Sequence, residues 1–246
     1  MLQKFNFYLN KGNAMSTILE TPKNFEQKTV CCLVVDVSGS MDGSPINQLN
    51  QGLRQFHAEI QNDNATANRV EVAIVEFSDT VEIVQQPALV DHFMPPILQT
   101  KGTTKLVDGV REGISLVQAR KQFYKTTGQP YNRPWIILIT DGAPDGDQDV
   151  KGLAQEINNG MAKKDFFFLP IGVTGADMPM LDSIAGSYTD KSGTHKVSPL
   201  PLDSAKFSEF FQWLSHSMAI ASSDANAQGG GVNIPMPTWL TGYQAN

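Results

Sequence analysis

Oxygen-bearing side chains follow or precede the apolar runs of this sequence at three separate places. Asp36, Ser38 and Ser40 stand in DVSGSM, directly after an apolar run. Thr104 stands in KGTTKLVDGV, and Asp141 ends the run RPWIILITD. Two carboxylates and three hydroxyls, with no imidazole or paired thiols nearby in sequence, suit a hard cation rather than zinc. We expect Mg²⁺ at this site, with Mn²⁺ or Ca²⁺ as alternatives.

The donor set leaves room for an outside ligand. Mg²⁺ prefers six oxygens in a near-octahedral shell and usually keeps several waters. With few negative charges around it, the ion would attract an Asp or Glu carboxylate from another protein, which supplies both charge and an oxygen. This favours a protein-binding module over an enzyme.

Two other functions are consistent with the same residues. A cation held by acids at strand ends also activates water, so a Mg²⁺-dependent phosphoester hydrolase is the alternative. The sequence offers it no general base other than a further acid near the same loops, and neither G-x-S-x-G nor the phosphate-binding G-x-x-x-x-G-K-[ST] occurs. A third hypothesis is that the protein is a structural subunit that needs no metal.

Further acids crowd the same predicted rim: Asp42, Asp145, Asp147 and Asp149. The simpler interpretation is a solvated acidic loop with helix-capping acids. The alternative is a contact that supports the metal ligands, or an extra cation site.

The elements that must position these residues alternate along the chain. Continuous apolar runs from Thr29, at 69–77, 133–141 and 166–173 predict buried strands, and 80–86 predicts a hairpin partner for 69–77. Helical spacing appears from Ile46 to Ile60, from Leu106 toward Tyr124, from Val150 to Met161, near 178–185 and from Phe207 to Met218. A strand is also predicted around 195–197.

The pattern predicts an α/β fold: a doubly wound, mostly parallel central sheet with one antiparallel edge strand and helices on both faces. In such sheets, ligands bind at the carboxyl ends of the strands, where the three polar loops would meet.

We expect three segments: an N-terminal extension at 1–28, one domain at 29–222, and a flexible C-terminal tail at 223–246 that contains a Gly triplet and two prolines.

The formal net charge of −6 gives no electrostatic basis for binding nucleic acid. The sequence shows no membrane-spanning apolar stretch and no secretory signal, so we expect a cytoplasmic protein. The adjacent Cys31 and Cys32 are predicted to be buried free thiols.

The motifs resemble a known family. DxSxS after a buried first strand, a Thr before a later helix and an Asp after a later buried strand resemble the metal-ion-dependent adhesion site of von Willebrand factor type A domains, whose fold is Rossmann-like. In that family the two Ser and the Thr bind the metal directly, and the acids act directly or through water. The resemblance assigns these roles to Ser38, Ser40, Thr104, Asp36 and Asp141.

A narrower resemblance is to the bacterial A-domain proteins associated with tellurite resistance and stress response. It is carried by DVSGSMDGSPINQLNQGL, RVEVAIVEF and RPWIILITDGAP. It implies a stress-response or defence complex, with kinase or phosphatase companions. Two features depart from that group: Lys105 follows Thr104 where a Pro is usual, and TDGxPTD becomes TDGAPDGD. Thr103 is therefore an alternative to Thr104.

Overall fold

A computed structural model describes residues 24–190 and 193–223. The fold is built on a six-stranded sheet. The strand order is β3-β2-β1-β4-β5-β8, and β6 and β7 form a separate two-stranded sheet. The strands are β1 Thr29–Asp36, β2 Val70–Phe77, β3 Val81–Leu89, β4 Trp135–Thr140, β5 Phe167–Val173, β6 Ser187–Asp190, β7 Gly193–Lys196 and β8 Leu200–Leu202.

The sheet is mostly parallel. In the main sheet only β3 runs antiparallel, against β2, while β1 pairs in parallel with both β2 and β4. All eight residues of β1 are buried. Because successive side chains of a strand point to opposite faces, both faces of this central strand are covered. The α/β fold predicted from the continuous apolar runs is confirmed.

Six α-helices surround the sheet in the described residues: α1 Ser44–Asn62, α2 Asn64–Ala67, α3 Leu106–Thr127, α4 Val150–Ala162, α5 Met178–Ile184 and α6 Phe207–Ser223. Gly113 lets α3 lie directly on β1, since a Cβ there would come within 2.6 Å of Val34 Cγ2. Gly52 does the same between α1 and α6, where a Cβ would lie 2.2 Å from Phe211 Cδ2. Small residues therefore set how closely the layers approach.

One sequence expectation differs from the structure in its setting. The strand predicted around 195–197 exists as β7, but it pairs antiparallel with β6 outside the main sheet. The place beside β5 is taken instead by β8, a segment of three residues that contains Pro201. So short a strand has no period of its own, and its conformation depends on pairing with β5.

The ends of the chain fall largely outside the described residues, so the predicted extension at 1–28 and tail at 223–246 stay predictions. Residues 24–28 do contact the fold. Lys28 donates its backbone N–H to the Pro130 carbonyl at 2.9 Å, and its buried ammonium donates to Asn24 Oδ1 at 2.8 Å. In the part of the chain that the structure describes, no helix has the length and apolar character to cross a membrane.

Candidate metal centre

The predicted metal ligands lie on three loops at the carboxyl edge of the sheet. Asp36 is the last residue of β1, and Asp141 follows β4, which is the neighbour of β1 in the sheet. Thr104 lies two residues before the first residue of α3. We call the loop after β1 the first loop, the loop before α3 the second and the loop after β4 the third. Parallel neighbours end at the same edge, so the topology alone brings the first and third loops together.

Hydrogen bonds link the first loop to the third. The Ser38 N–H donates to Asp36 Oδ1 at 2.8 Å, which folds the loop back on the end of β1. The hydroxyls of Ser38 and Ser40 are 3.1 Å apart, and Ser40 donates to Asp141 Oδ1 at 2.7 Å. Four of the five predicted ligands thus form one connected set of oxygens.

Thr104 completes the set from the second loop. A Cβ placed on Gly142 would lie 3.7 Å from Thr104 Oγ1 and 3.8 Å from Asp36 Oδ2, so the two oxygens flank the same point. Thr104 is buried, whereas Thr103 is exposed. Within the described residues the hydroxyl of Thr104 has no hydrogen-bond partner. The Thr104 hydroxyl and the Asp36 carboxylate therefore both border Gly142.

The two carboxylates carry an electrostatic penalty. Burial raises the pKa of Asp36, an effect that hydrogen bonds from Ser38 and Thr140 oppose and the nearby charge of Asp141 increases. Burial also raises the pKa of Asp141, against the hydrogen bond from Ser40. Both acids are therefore costly to keep ionised, and a cation between them would relieve that cost.

Thr140 is a site residue that the sequence analysis missed. Its hydroxyl donates to Asp36 Oδ2 at 2.5 Å and accepts the Gly142 N–H at 3.1 Å. A signal was present, because Thr140 is the last residue of β4 and directly precedes Asp141. With β4 beside β1, a polar residue there faces the end of β1.

Three of the rim acids have structural roles. Asp149 caps α4 by accepting the Gly152 N–H at 2.9 Å, as the simpler interpretation expects. Asp42 accepts a hydrogen bond from the Thr100 hydroxyl at 3.1 Å. Asp145 accepts the Thr104 N–H at 2.6 Å, so it contacts a predicted ligand through that residue's backbone.

The donor chemistry fits a hard divalent cation. Among residues 24–190 and 193–223, no three His, Cys, Asp or Glu side chains cluster as a metal group. The oxygen set described above combines only two carboxylates with hydroxyls. Such a mixture suits Mg²⁺, Mn²⁺ or Ca²⁺ better than a metal that prefers imidazole or thiolate.

The family profile of the von Willebrand factor type A domain matches residues 32–198. The chain belongs to this family. All five predicted ligands of this von Willebrand factor A domain lie inside the matched region. No curated protein matches the sequence.

Solved structures share the fold at low sequence identity. The pilus adhesin SpaC from Lactobacillus rhamnosus GG is 16% identical with a TM-score of 0.60, over 79% of this chain and 31% of that one. The PilB minor pilin from Streptococcus sanguinis is 14% identical with a TM-score of 0.55, over 79% and 62% respectively. Proximal thread matrix protein 1 from the mussel byssus is 17% identical with a TM-score of 0.52, over 80% and 47%. The A domain thus spans 31% to 62% of the length of these three structures.

Proposed function

We propose that this A domain is a protein-binding module in which Asp36, Ser38, Ser40, Thr104 and Asp141 hold a Mg²⁺ ion that binds an acidic side chain of a partner protein. Mn²⁺ and Ca²⁺ are the alternative ions. The single observation that carries the proposal is the hydrogen bond from Ser40 to Asp141, which joins two loops separated by 101 positions in sequence. Membership of the von Willebrand factor type A family also supports a protein-binding function.

The burial of the ligands suggests the direction from which a partner approaches. Asp36, Ser38 and Thr104 are buried, whereas Ser40 is exposed and Asp141 is partly exposed. A divalent cation held by these residues would supply positive charge that attracts a carboxylate. Asp36, Ser38 and Thr104 would hold the ion from the buried side of the site, and Ser40 and Asp141 lie where a partner could approach.

The cellular setting is also part of the proposal. The likeness of DVSGSMDGSPINQLNQGL and RPWIILITDGAP to the tellurite-resistance-associated A domains supports a cytoplasmic stress-response or defence complex. Kinase or phosphatase companions are the kind of partner that this likeness implies. An acidic residue on the partner's surface is the feature that the site would recognise.

Calorimetry with Mg²⁺ and Mn²⁺ tests the metal site. We expect wild-type protein to bind either ion, and Ser40→Ala to weaken binding by at least about tenfold, because the variant removes a ligand oxygen at an exposed position. Ser115→Ala, on the exposed surface of α3, is the matched control. Equal affinity of Ser40→Ala and Ser115→Ala would refute the assignment of this site.

A second measurement tests the open coordination position. Water-proton relaxation of the Mn²⁺-loaded protein reports water bound to the metal, so an Asp- or Glu-containing peptide that replaces this water should lower the relaxivity. The same peptide with Asn or Gln should not. The hydrolase alternative is not favoured by family membership, and it predicts turnover of p-nitrophenyl phosphate that Asp141→Asn abolishes. We expect no turnover.

A further inference from the structure

Thr104 is held by the third loop through its backbone. Its N–H donates to Asp145 Oδ2 at 2.6 Å, and its carbonyl accepts from the Asp145 N–H at 3.1 Å. The same carbonyl also accepts from Gln148 Nε2 at 2.6 Å. The N–H of Thr104 is therefore bonded to Asp145, and its carbonyl is bonded to both Asp145 and Gln148. Both partners belong to the loop that carries Asp141.

Gln148 connects this contact to the start of α3. Its Nε2 also donates to the Asp145 carbonyl at 2.8 Å, and its Oε1 accepts the Val107 N–H at 2.9 Å. An amide is the side chain that can do both, because it carries donors and an acceptor on one planar group. The N–H groups of the first helical turn have no partner within the helix, and Gln148 binds one of them.

Lys105, which follows Thr104, and Gly102, two residues before it, are bonded to other parts of the molecule. Lys105 donates its N–H to the Ser78 carbonyl at 2.8 Å, and the Gly102 carbonyl accepts the Gly39 N–H at 3.2 Å. The contacts with Asp145 and Gln148 tie Thr104 directly to the loop that carries Asp141. Since the backbone groups of Thr104 are fully used, its hydroxyl is the group left for a ligand.

We propose that Asp145 and Gln148 are positioning residues of the metal centre, which place the Thr104 hydroxyl relative to Asp141 without contacting the ion. This inference rests on the proposed function and adds the residues that set the affinity of the site. The third loop then contributes one ligand directly and positions a second one. Groups that orient metal ligands typically change metal affinity on the order of 10- to 100-fold when removed.

The test compares Mn²⁺ affinity by calorimetry for Asp145→Ala, Asp145→Asn and Gln148→Glu. Asp145→Ala removes the acceptor for the Thr104 N–H, and we expect affinity to fall on the order of 10- to 100-fold. Asp145→Asn keeps a carbonyl acceptor without the charge, and it should restore binding to within about threefold of wild type if position is what matters. Gln148→Glu replaces the donor to the Thr104 carbonyl with an oxygen, and it should also weaken binding.

Asp147→Ala is the matched control, because Asp147 is exposed on the same loop and makes no hydrogen bond with the described residues. It removes the same charge as Asp145→Ala and should bind like wild type.

Denaturation midpoints in chelator show whether each variant is folded. If Asp145→Ala does not fold, the metal affinity of Gln148→Glu compared with wild type decides. Wild-type affinity in both Asp145→Ala and Gln148→Glu overturns the inference, as does equal weakening in Asp145→Asn and Asp145→Ala. If wild type itself binds no metal, the proposed function fails instead.

Discussion

Thr140 donates a hydrogen bond of 2.5 Å to Asp36 Oδ2, which joins the ends of the neighbouring strands β4 and β1 beneath the candidate metal centre. The bond matters because Asp36 is buried and its pKa is already raised by that burial. A hydroxyl that stabilises the ionised carboxylate keeps it available to a cation.

Thr140→Val should therefore weaken metal binding while keeping the strand. Valine has the same shape and favours strands, but it cannot donate to Asp36, so the pKa of Asp36 should rise further. We expect a loss on the order of 10- to 100-fold in Mg²⁺ affinity. The free energy of unfolding in chelator should fall by about 1–3 kcal/mol. Calorimetry and urea denaturation measure the two effects, and unchanged affinity would contradict this role for Thr140.

The two neighbouring threonines should differ sharply in their effect. Thr104→Val removes the hydroxyl of a buried residue at the site and is expected to lower Mg²⁺ affinity by about tenfold or more. Thr103→Val alters an exposed residue and should leave the affinity unchanged. The opposite result, with Thr103→Val the more damaging, would identify Thr103 as the ligand.

Metal should stabilise the folded chain. A ligand that binds only the folded state adds about 2.7 kcal/mol to the free energy of unfolding at a concentration roughly 100 times its Kd. Thermal denaturation in saturating Mg²⁺ should therefore give a higher Tm than in EDTA. Ser40→Ala, with affinity at least about tenfold lower, should lose about half of this increment or more, and Ser115→Ala should keep it. A Tm that is identical in Mg²⁺ and EDTA would contradict a metal site in the native fold.

The two cysteines are expected to report unfolding. Both are free and fully buried in β1. Burial raises the pKa of the Cys32 thiol to about 12, and the pKa of Cys31 is raised in the same way. At pH 8 neither forms a thiolate in the folded state, so native protein should react with a thiol reagent only through opening. Labelling in urea should be rapid, and rapid labelling of the native protein would show that β1 is accessible.

Gly52 should not tolerate a methyl group. Alanine is the better helix former by about 1 kcal/mol, but its Cβ would lie 2.2 Å from Phe211 Cδ2. The Phe211 ring also packs against the rings of Phe56 and Phe210, which leaves it little room to move. We expect Gly52→Ala to lose about 1–3 kcal/mol in urea denaturation, as overpacked cores do. Gln51→Ala, on the exposed side of the same helix, should be near neutral, and equal stability of both variants would contradict the close packing of α1 on α6.

The sequence predicts the parts of the fold that are determined locally. A strand buried on both faces is recognisable from its own residues, as in the run from Thr29, and a helix from its apolar spacing. The strand β8 is not recognisable in this way, because Leu200–Leu202 becomes a strand only through its pairing with β5. The pairing of β7 with β6 rather than with the main sheet also depends on distant contacts.

The candidate site shows the same division. Asp36 and Asp141 stand at the ends of recognisable strands, so their loops can be picked out from the sequence. Gln148 acts through a bond to Thr104, 44 positions away, and belongs to no recognisable spacing. Thr140 ends a recognisable strand, but its bond to Asp36, 104 positions away, depends on the pairing of β4 with β1. That these residues hold or support a metal stays a prediction until the ion is measured.

The two outer strands of the main sheet differ in length but share one feature. Pro87 lies in β3 and Pro201 in β8, and β8 is only three residues long. The pairing of β3 with β2 is also irregular between Val72 and Val75. Proline has no N–H, so each outer strand of the sheet formed by the described residues has one backbone donor fewer for pairing. A strand of a second protein could not accept a hydrogen bond from Pro87 or from Pro201.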